Sequence, residues 1–404
     1  MNAAQTTNDV VTKTRGSGRN LVIDGVRGFC LVLMTMDHLP GNPFARMSNW
    51  RYGLFGFFTA ASGFVFLSGW VSGQVYGRLW QSSGSKAAIR RILNRMWKLY
   101  LAQLVLIFGV YLAVVLHWRG TFTDELVLFR THPIKALLMG VTLLQQPEYL
   151  GILPMYFFFL AILPLALWQL QSGHRWRVVL LSGAVWLISG LAFTLPNNYT
   201  GINFGFNPLG YQFLFVVGIV LGEGRIQLNS LKPAIRKWLM ISSFAGAAMF
   251  FALRLAYAFV GKVGPFVDRF HSFFSLDKMG PLRVLSFAAF AVVLTWVFLK
   301  KILINTNSAL FRWLILLGQN SLTVFVWSIL LAYAVTAALP VKASVGLRIL
   351  DFLFASISLT IPAWLSAIGV GEIEWKEPFR ALASLARFAR KSKKVPVYIH
   401  GLLL

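Results

Sequence analysis

Apolar stretches close to the length that a helix needs to span a bilayer, about 20 residues, recur along the whole chain. They predict an all-α integral membrane protein with about ten transmembrane helices, and the gaps between them are too short for a soluble domain. A further apolar piece, residues 134–144, is too short to span and favours an interfacial or re-entrant helix. The ten predicted spans are residues 21–40, 53–73, 97–117, 151–171, 177–195, 208–224, 236–260, 281–304, 311–338 and 345–370.

Composition agrees with a membrane protein. Hydrophobic residues make up 57% of the chain and charged residues only 13%, whereas a soluble domain carries about 25% charged residues. The net charge of +25 would suggest nucleic-acid binding in a soluble protein. Here the basic residues flank the apolar spans, so we expect membrane lipid as a partner and no nucleic acid. Cys30 is the only cysteine, which excludes a disulfide framework.

The distribution of Lys and Arg predicts the orientation. With the N-terminus inside, the inner segments hold 25 of these residues and the outer loops hold 9. Because cytoplasmic loops carry the excess of positive charge, both termini should face the cytoplasm. The chain is expected to divide into a cytoplasmic lead (1–20), a membrane domain (21–370) and a basic cytoplasmic tail (371–404).

The first span carries unusual polar residues in "IDGVRGFCLVLMTMDHLPG". Arg27 and His38 are eleven residues apart, so a helix separates them by about 16 Å along its axis but by only about 20° around it. Asp24 lies on the same face one turn before Arg27, and Asp37 points about 100° away from His38. One interpretation is an interfacial ion pair followed by a helix end at Pro40. The other is a transmembrane acyl-CoA site, in which Arg27 binds phosphate and His38 acts as a general base.

Four motifs resemble a known family. "DGVRGFCLVLMTMDH", "FFTAASGFVFLSGW", "NPLGYQFLFVVGIVLG" and "LGQNSLTVFVWSILL" together resemble the OpgC branch of the membrane acyltransferase-3 superfamily. The likeness covers about residues 20–370. It implies an enzyme of the bacterial inner membrane that transfers a succinyl group from cytoplasmic succinyl-CoA to glucose hydroxyls of a periplasmic glucan, with no permanently bound cofactor.

Other residues have both a structural and a functional interpretation. Ser62 and Ser68 belong to a stretch of small residues. The stretch either lets two helices pack closely or lines a channel for the thioester arm. Asn207 caps a helix that begins at Pro208, or it binds sugar hydroxyls together with Tyr211 and Gln212. The basic residues of the stretch 86–98 contact lipid headgroups or bind the CoA phosphates; those that flank the third span are Arg90, Arg91 and Arg95.

Arg254 and Arg283 are the informative cations within the predicted spans. Simple snorkelling to the membrane surface is one interpretation. The other is that one of them pairs with the succinyl carboxylate. Glu148, Asp268 and Asp277 are outer-side carboxylates that could bind sugar or a structural cation.

A different class of function stays open at this point. Arg27, Asp37 and His38 could form the pathway of a proton-coupled transporter for an anionic solute. The sequence shows no detectable inverted repeat, which argues against it. No metal site is expected, and nothing in the sequence excludes an oligomer.

Overall fold

A computed structural model describes about two thirds of the chain. The described residues are 88% helical and include no strand. They are residues 20–39, 56–115, 129, 131–144, 146–147, 149–191, 207–224, 231–259, 269, 271–275, 279–299, 308–338 and 344–367.

Within these residues, the chain forms a succession of helices and one short 3₁₀ helix, His271–Phe274. The α-helices are α1 Leu21–His38, α2 Ala60–Val115, α3 Pro133–Val141, α4 Ile152–Gln171, α5 Arg175–Leu191, α6 Pro208–Gly222, α7 Pro233–Phe259, α8 Pro281–Leu299, α9 Ala309–Gln319, α10 Ser321–Ala338, α11 Val345–Ser358 and α12 Thr360–Ala367.

These helices establish a helical membrane protein. By length and composition, the described residues include four helical segments that could each cross a membrane. They are α2, α4, α7, and α11 together with α12. A fifth is added if α9 and α10 count as one broken span. α6 and α8 are shorter apolar helices. The 18-residue α1 is long enough to span but carries Asp24, Arg27 and Asp37. The total of ten spans stays a prediction.

The inner segment between the predicted second and third spans is helical. α2 runs from Ala60 to Val115 and is interrupted only at Gly84, which has φ 83° and ψ 169°. Residues after this kink are rich in Lys, Arg, Ala, Ile and Leu, most of which favour helix. The basic cluster therefore lies on a helix and not in a connecting loop.

α2 and α6 pack in parallel with their backbones in contact. A Cβ on Gly69 would lie 2.0 Å from the Phe215 carbonyl oxygen, and one on Gly73 would lie 2.3 Å from that of Ile219. The contact advances by four residues on both helices, so the two run in the same direction. Small residues at this spacing let membrane helices approach closely, which confirms the packing interpretation of the small-residue stretch at Gly69.

α4 runs in the same direction as the first half of α2. The Phe64 and Tyr156 rings are in contact, with centroids 6.1 Å apart. Further along both helices, the Gln81 amide donates to the Gln171 side chain at 3.2 Å. The predicted second, fourth and sixth spans are thus mutually parallel, as an alternating topology requires.

α1 and α10 form a further parallel pair. Arg27 contacts Ser321 near the beginning of each helix, and Leu39 packs with Val335 near the end of each. The predicted ninth span is not one straight helix, because α9 and α10 meet at an angle of 93°. Asn320 lies at the break, and its side chain donates to the Leu316 carbonyl at 3.0 Å, a local bond that competes with helix continuation.

α9 lies directly against α1. A Cβ on Gly28 would lie 1.9 Å from the Leu314 carbonyl oxygen, and one on Gly318 would lie 1.7 Å from that of Asp24. This close contact places the bend between α9 and α10 next to Arg27.

Candidate functional site

The first half of the site is built around Arg27. Its Nη2 donates to the Ser321 hydroxyl at 2.7 Å, and its Nη1 lies 3.9 Å from Asp24 Oδ1. The guanidinium carbon lies 5.4 Å from the centroid of the Phe64 ring. Arg27 is only 9% exposed, so α1 and α10 together hold a buried cation in a defined position.

The start of α1 determines how Asp24 lies relative to Arg27. The side chain of Asn20 accepts hydrogen bonds from the backbone N–H groups of Val22 and Ile23, which caps the helix. Asp24 and Arg27 then lie one turn apart. The structure contains an ion pair between Asp24 and Arg27, but the pair is buried in the helix bundle and not interfacial.

The second half of the site lies at the other end of α1. The rings of His38 and Tyr149 are in contact, with centroids 4.5 Å apart, and Tyr149 also approaches Tyr333 of α10, at 6.4 Å. Asp37 and His38 are both half-buried. Within the described part of the chain, the buried Nδ1 of His38 has no hydrogen-bond partner. A half-buried imidazole of this kind can meet a hydroxyl that enters from outside.

Arg95 differs from Arg90 and Arg91 in its surroundings. The Tyr156 hydroxyl lies within electrostatic range of both Arg27 and Arg95, and Arg95 is partly buried whereas Arg90 and Arg91 are exposed. One residue of the cluster therefore acts on the same hydroxyl as Arg27. The other two lie on the exposed side of α2.

Arg254 and Arg283 are both buried within the protein, at 2% and 0% exposure. This burial does not fit snorkelling, which would leave the guanidinium at the membrane surface. Arg283 donates from Nε and Nη2 to the Phe274 carbonyl oxygen, at 3.1 and 2.9 Å. Arg254 lies over the ring of Tyr257, 6.0 Å from its centroid.

The two arginines flank one aromatic cluster. Their chain neighbours, Leu253 and Leu282, both pack against buried phenylalanines of this cluster. α7 and α8 therefore both pack against this cluster, and each helix carries one buried arginine. The buried phenylalanines are Phe57, Phe250 and Phe274.

Three predicted sugar-binding residues have structural contacts. Asn207 caps α6 by accepting from the Leu209 N–H at 2.9 Å, which confirms the capping interpretation. Gln212 accepts from the Ser182 hydroxyl at 2.6 Å and donates to the carbonyls of Ser182 and Leu209. Tyr211 is fully buried in the main core. The amide of Gln212 therefore joins α5 to α6.

The two serines of the second span differ. Ser62 pairs with the Thr59 hydroxyl, at 3.3 Å, at the beginning of α2. Ser68 is 6% exposed, and its hydroxyl has no hydrogen-bond partner in the described part of the chain. Only Ser68 therefore offers a buried group to a ligand.

Sequence reasoning missed several residues of the site. Ser321 lies within a quoted motif, but its 294-residue separation from Arg27 hides the contact. Tyr149 directly follows Glu148, but only the charge of Glu148 makes that position stand out in the sequence. Phe64 and Tyr156 belong to apolar spans, where an aromatic residue normally indicates packing.

Some predictions fall outside the described residues. These are residues 1–19 of the cytoplasmic lead, the basic tail, Glu148, Asp268 and Asp277. Within the residues that the structure describes, no group of three or more His, Cys, Asp or Glu side chains could hold a metal ion.

Comparison with known proteins gives one match. A family model described as "OpgC protein" matches residues 19–371, most of the chain. No curated protein and no solved structure matches the chain.

Proposed function

Since the chain belongs to the OpgC family, we propose that it is a membrane O-acyltransferase that transfers a succinyl group from cytoplasmic succinyl-CoA to glucose hydroxyls of a periplasmic glucan. The acyltransferase class is what the family suggests. The donor and the acceptor come from the resemblance of the motifs. The proposed location is the bacterial inner membrane, with both termini in the cytoplasm, as the charge distribution predicts.

The observation that carries the proposal is the placement of two functional groups along one pair of parallel helices. Arg27 is held by Ser321 near the beginning of α1 and α10. His38 contacts Tyr149 at the far end, about 16 Å away along the helix axis. A cation at one end and a base at the other suit a donor that enters from one side and an acceptor that enters from the other.

Arg27 is proposed to bind a phosphate of the donor. Its planar guanidinium can form paired hydrogen bonds to phosphate oxygens, and Asp24 and Ser321 orient it. Arg95 adds positive charge near Tyr156. Arg90 and Arg91, exposed on the same helix, are proposed to attract the CoA phosphates from the cytoplasm.

His38 is proposed as the general base. It takes the proton from a glucose hydroxyl while the hydroxyl oxygen attacks the carbonyl carbon of the thioester. The C–S bond then breaks, and the imidazolium returns the proton to the departing CoA thiolate. The products are a succinyl ester and free CoA, and no covalent enzyme intermediate is required. Asp37, adjacent to His38, is proposed to position the imidazole or tune its basicity.

The remaining side chains are proposed to shape the passage and the acyl end of the site. The buried hydroxyl of Ser68 is proposed to line the path of the thioester arm. One of the two buried arginines, Arg254 or Arg283, is proposed to meet the succinyl carboxylate, because an unpaired carboxylate is costly in an apolar environment. Tyr211 is proposed to support the acceptor side through its position near the beginning of α6.

The test is turnover by the detergent-purified, full-length protein. With succinyl-CoA and glucan, the wild-type protein should release CoA and form succinylated glucan. His38→Ala should lower the rate by about 10²- to 10⁴-fold, whereas His174→Ala, an exposed histidine before α5, should keep the wild-type rate. If neither acyl transfer nor glucan-dependent CoA release occurs, and an anionic solute is instead transported in reconstituted vesicles, the protein is a transporter.

A further inference from the structure

Tyr156 of α4 presents a buried polar group that the mechanism above does not use. Its hydroxyl has no hydrogen-bond partner in the part of the chain that the structure describes. A buried hydroxyl without a partner is costly, so most such groups in proteins are hydrogen-bonded. An unpartnered buried hydroxyl at a candidate site therefore indicates that a ligand forms the missing hydrogen bond.

The Tyr156 ring is held firmly among aromatic neighbours. Its centroid lies 6.1 Å from that of Phe64, 6.0 Å from that of Phe159 and 6.0 Å from that of Phe215. These rings come from α2, α4 and α6. The direction of the hydroxyl is therefore determined by packing, and the group is preorganised.

The same aromatic contact links Tyr156 to Arg27. Both residues touch the Phe64 ring, Arg27 at 5.4 Å and Tyr156 at 6.1 Å. The guanidinium carbon and the Tyr156 ring centroid are consequently no more than about 11.5 Å apart. Arg95 also acts electrostatically on the Tyr156 hydroxyl, so a hydrogen-bond donor lies within the field of two cations.

We propose that the Tyr156 hydroxyl donates a hydrogen bond to a phosphate oxygen of the acyl-CoA donor, beside Arg27 and Arg95. The inference rests on the proposed function. A phosphate suits this environment because it carries negative charge and accepts hydrogen bonds strongly. In the protein without ligand, the hydroxyl has no bond within the described residues; in the complex, the phosphate supplies one.

The test is binding of free CoA to the purified full-length protein and to Tyr156→Phe, which removes only the hydroxyl. Loss of a hydrogen bond to a charged group should weaken CoA binding about 10- to 100-fold. In turnover, KM for succinyl-CoA should rise with kcat nearly unchanged, because a phosphate remote from the reacting carbonyl is bound equally in the ground state and the transition state. Succinyl-pantetheine, which lacks phosphate, should be used equally well by both proteins.

Thermal unfolding without ligand separates a binding role from a structural one. Tyr156→Phe should unfold at the wild-type temperature or above it, because no protein hydrogen bond is lost. The matched control is Tyr100→Phe, whose hydroxyl donates to the Val141 carbonyl at 3.2 Å. This control should lower the unfolding temperature and leave the CoA affinity unchanged.

Three results would overturn the proposal. An unchanged CoA affinity in Tyr156→Phe removes the hydroxyl from the donor site and leaves the proposed function intact. A lower unfolding temperature without ligand, as in Tyr100→Phe, assigns the hydroxyl a structural role. Failure of the wild-type protein to bind CoA at all overturns the proposed function, and this inference with it.

Discussion

Arg27 of α1 donates a hydrogen bond to the hydroxyl of Ser321, the first residue of α10, across 294 residues of sequence. The bond lies where α10 begins, just after the 93° bend. The bond therefore connects Arg27 of the first span to the bend between α9 and α10. The orientation of Arg27 therefore depends on where α9 ends.

Ser321→Ala tests whether this bond orients Arg27 for the donor. Its loss should raise KM for succinyl-CoA by about tenfold, because a hydrogen bond to a charged group contributes about 1.5–3 kcal/mol, and kcat should change little. Steady-state kinetics measure both constants. Ser328→Ala is the matched control: Ser328 is also buried on α10, but it bonds the Phe325 carbonyl of its own helix. Equal KM values in the two variants would show that Ser321 does not orient Arg27.

Arg254 and Arg283 should differ when each is replaced by Leu. Arg283 uses two donor groups on the Phe274 carbonyl, so Arg283→Leu should lower stability by about 1–3 kcal/mol and slow transfer of succinyl and acetyl groups alike. Arg254→Leu should depress succinyl transfer far more than acetyl transfer, since only the succinyl group carries a carboxylate.

The measurement for these two variants is the ratio of turnover with succinyl-CoA to that with acetyl-CoA on the same glucan, alongside thermal unfolding. If neither variant alters that ratio, neither arginine binds the succinyl carboxylate. The proposed succinyl specificity then rests on family resemblance alone.

Gly28→Ala should disrupt the contact between α1 and α9. The added Cβ would meet the Leu314 carbonyl oxygen at 1.9 Å, so the backbones must separate, at a cost of about 1–3 kcal/mol. Thermal unfolding in detergent gives the change in stability. Gly346→Ala, on α11, is the control because a Cβ there meets nothing within 4 Å. A wild-type unfolding temperature for Gly28→Ala would mean that α1 and α9 do not touch here.

Topology reporters test the predicted orientation. A reporter inserted at the exposed kink residue Gly84 should report the cytoplasm, and one placed between residues 196 and 206 should report the periplasm. The reason is the excess of Lys and Arg in the inner segments. A periplasmic signal from the Gly84 insertion would reverse the orientation and, with it, the side from which the donor enters.

Much of the membrane architecture follows from the sequence. The apolar stretches at residues 151–171 and 208–224 nearly coincide with α4 and α6, because hydrophobic length alone specifies a helix in a bilayer. Residue 320, by contrast, lies inside the predicted ninth span, 311–338, where the polar residues 319–321 interrupt the apolar pattern without specifying a bend. Helix breaks of this kind depend on local side-chain bonds and on packing against α1, neither of which appears in a hydrophobicity pattern.

The first span was the most predictable part of the candidate site. Arg27 and His38 lie eleven residues apart on one helix, so helix geometry alone gives their separation and common face. The contacts that these residues make were decided by the tertiary structure. Ser321, Tyr149 and Tyr156 come from other parts of the chain, and each reaches the site through the way its own segment packs, as α4 does along α2. Sequence determines polarity and local spacing, whereas contacts between distant segments depend on how whole helices fit together.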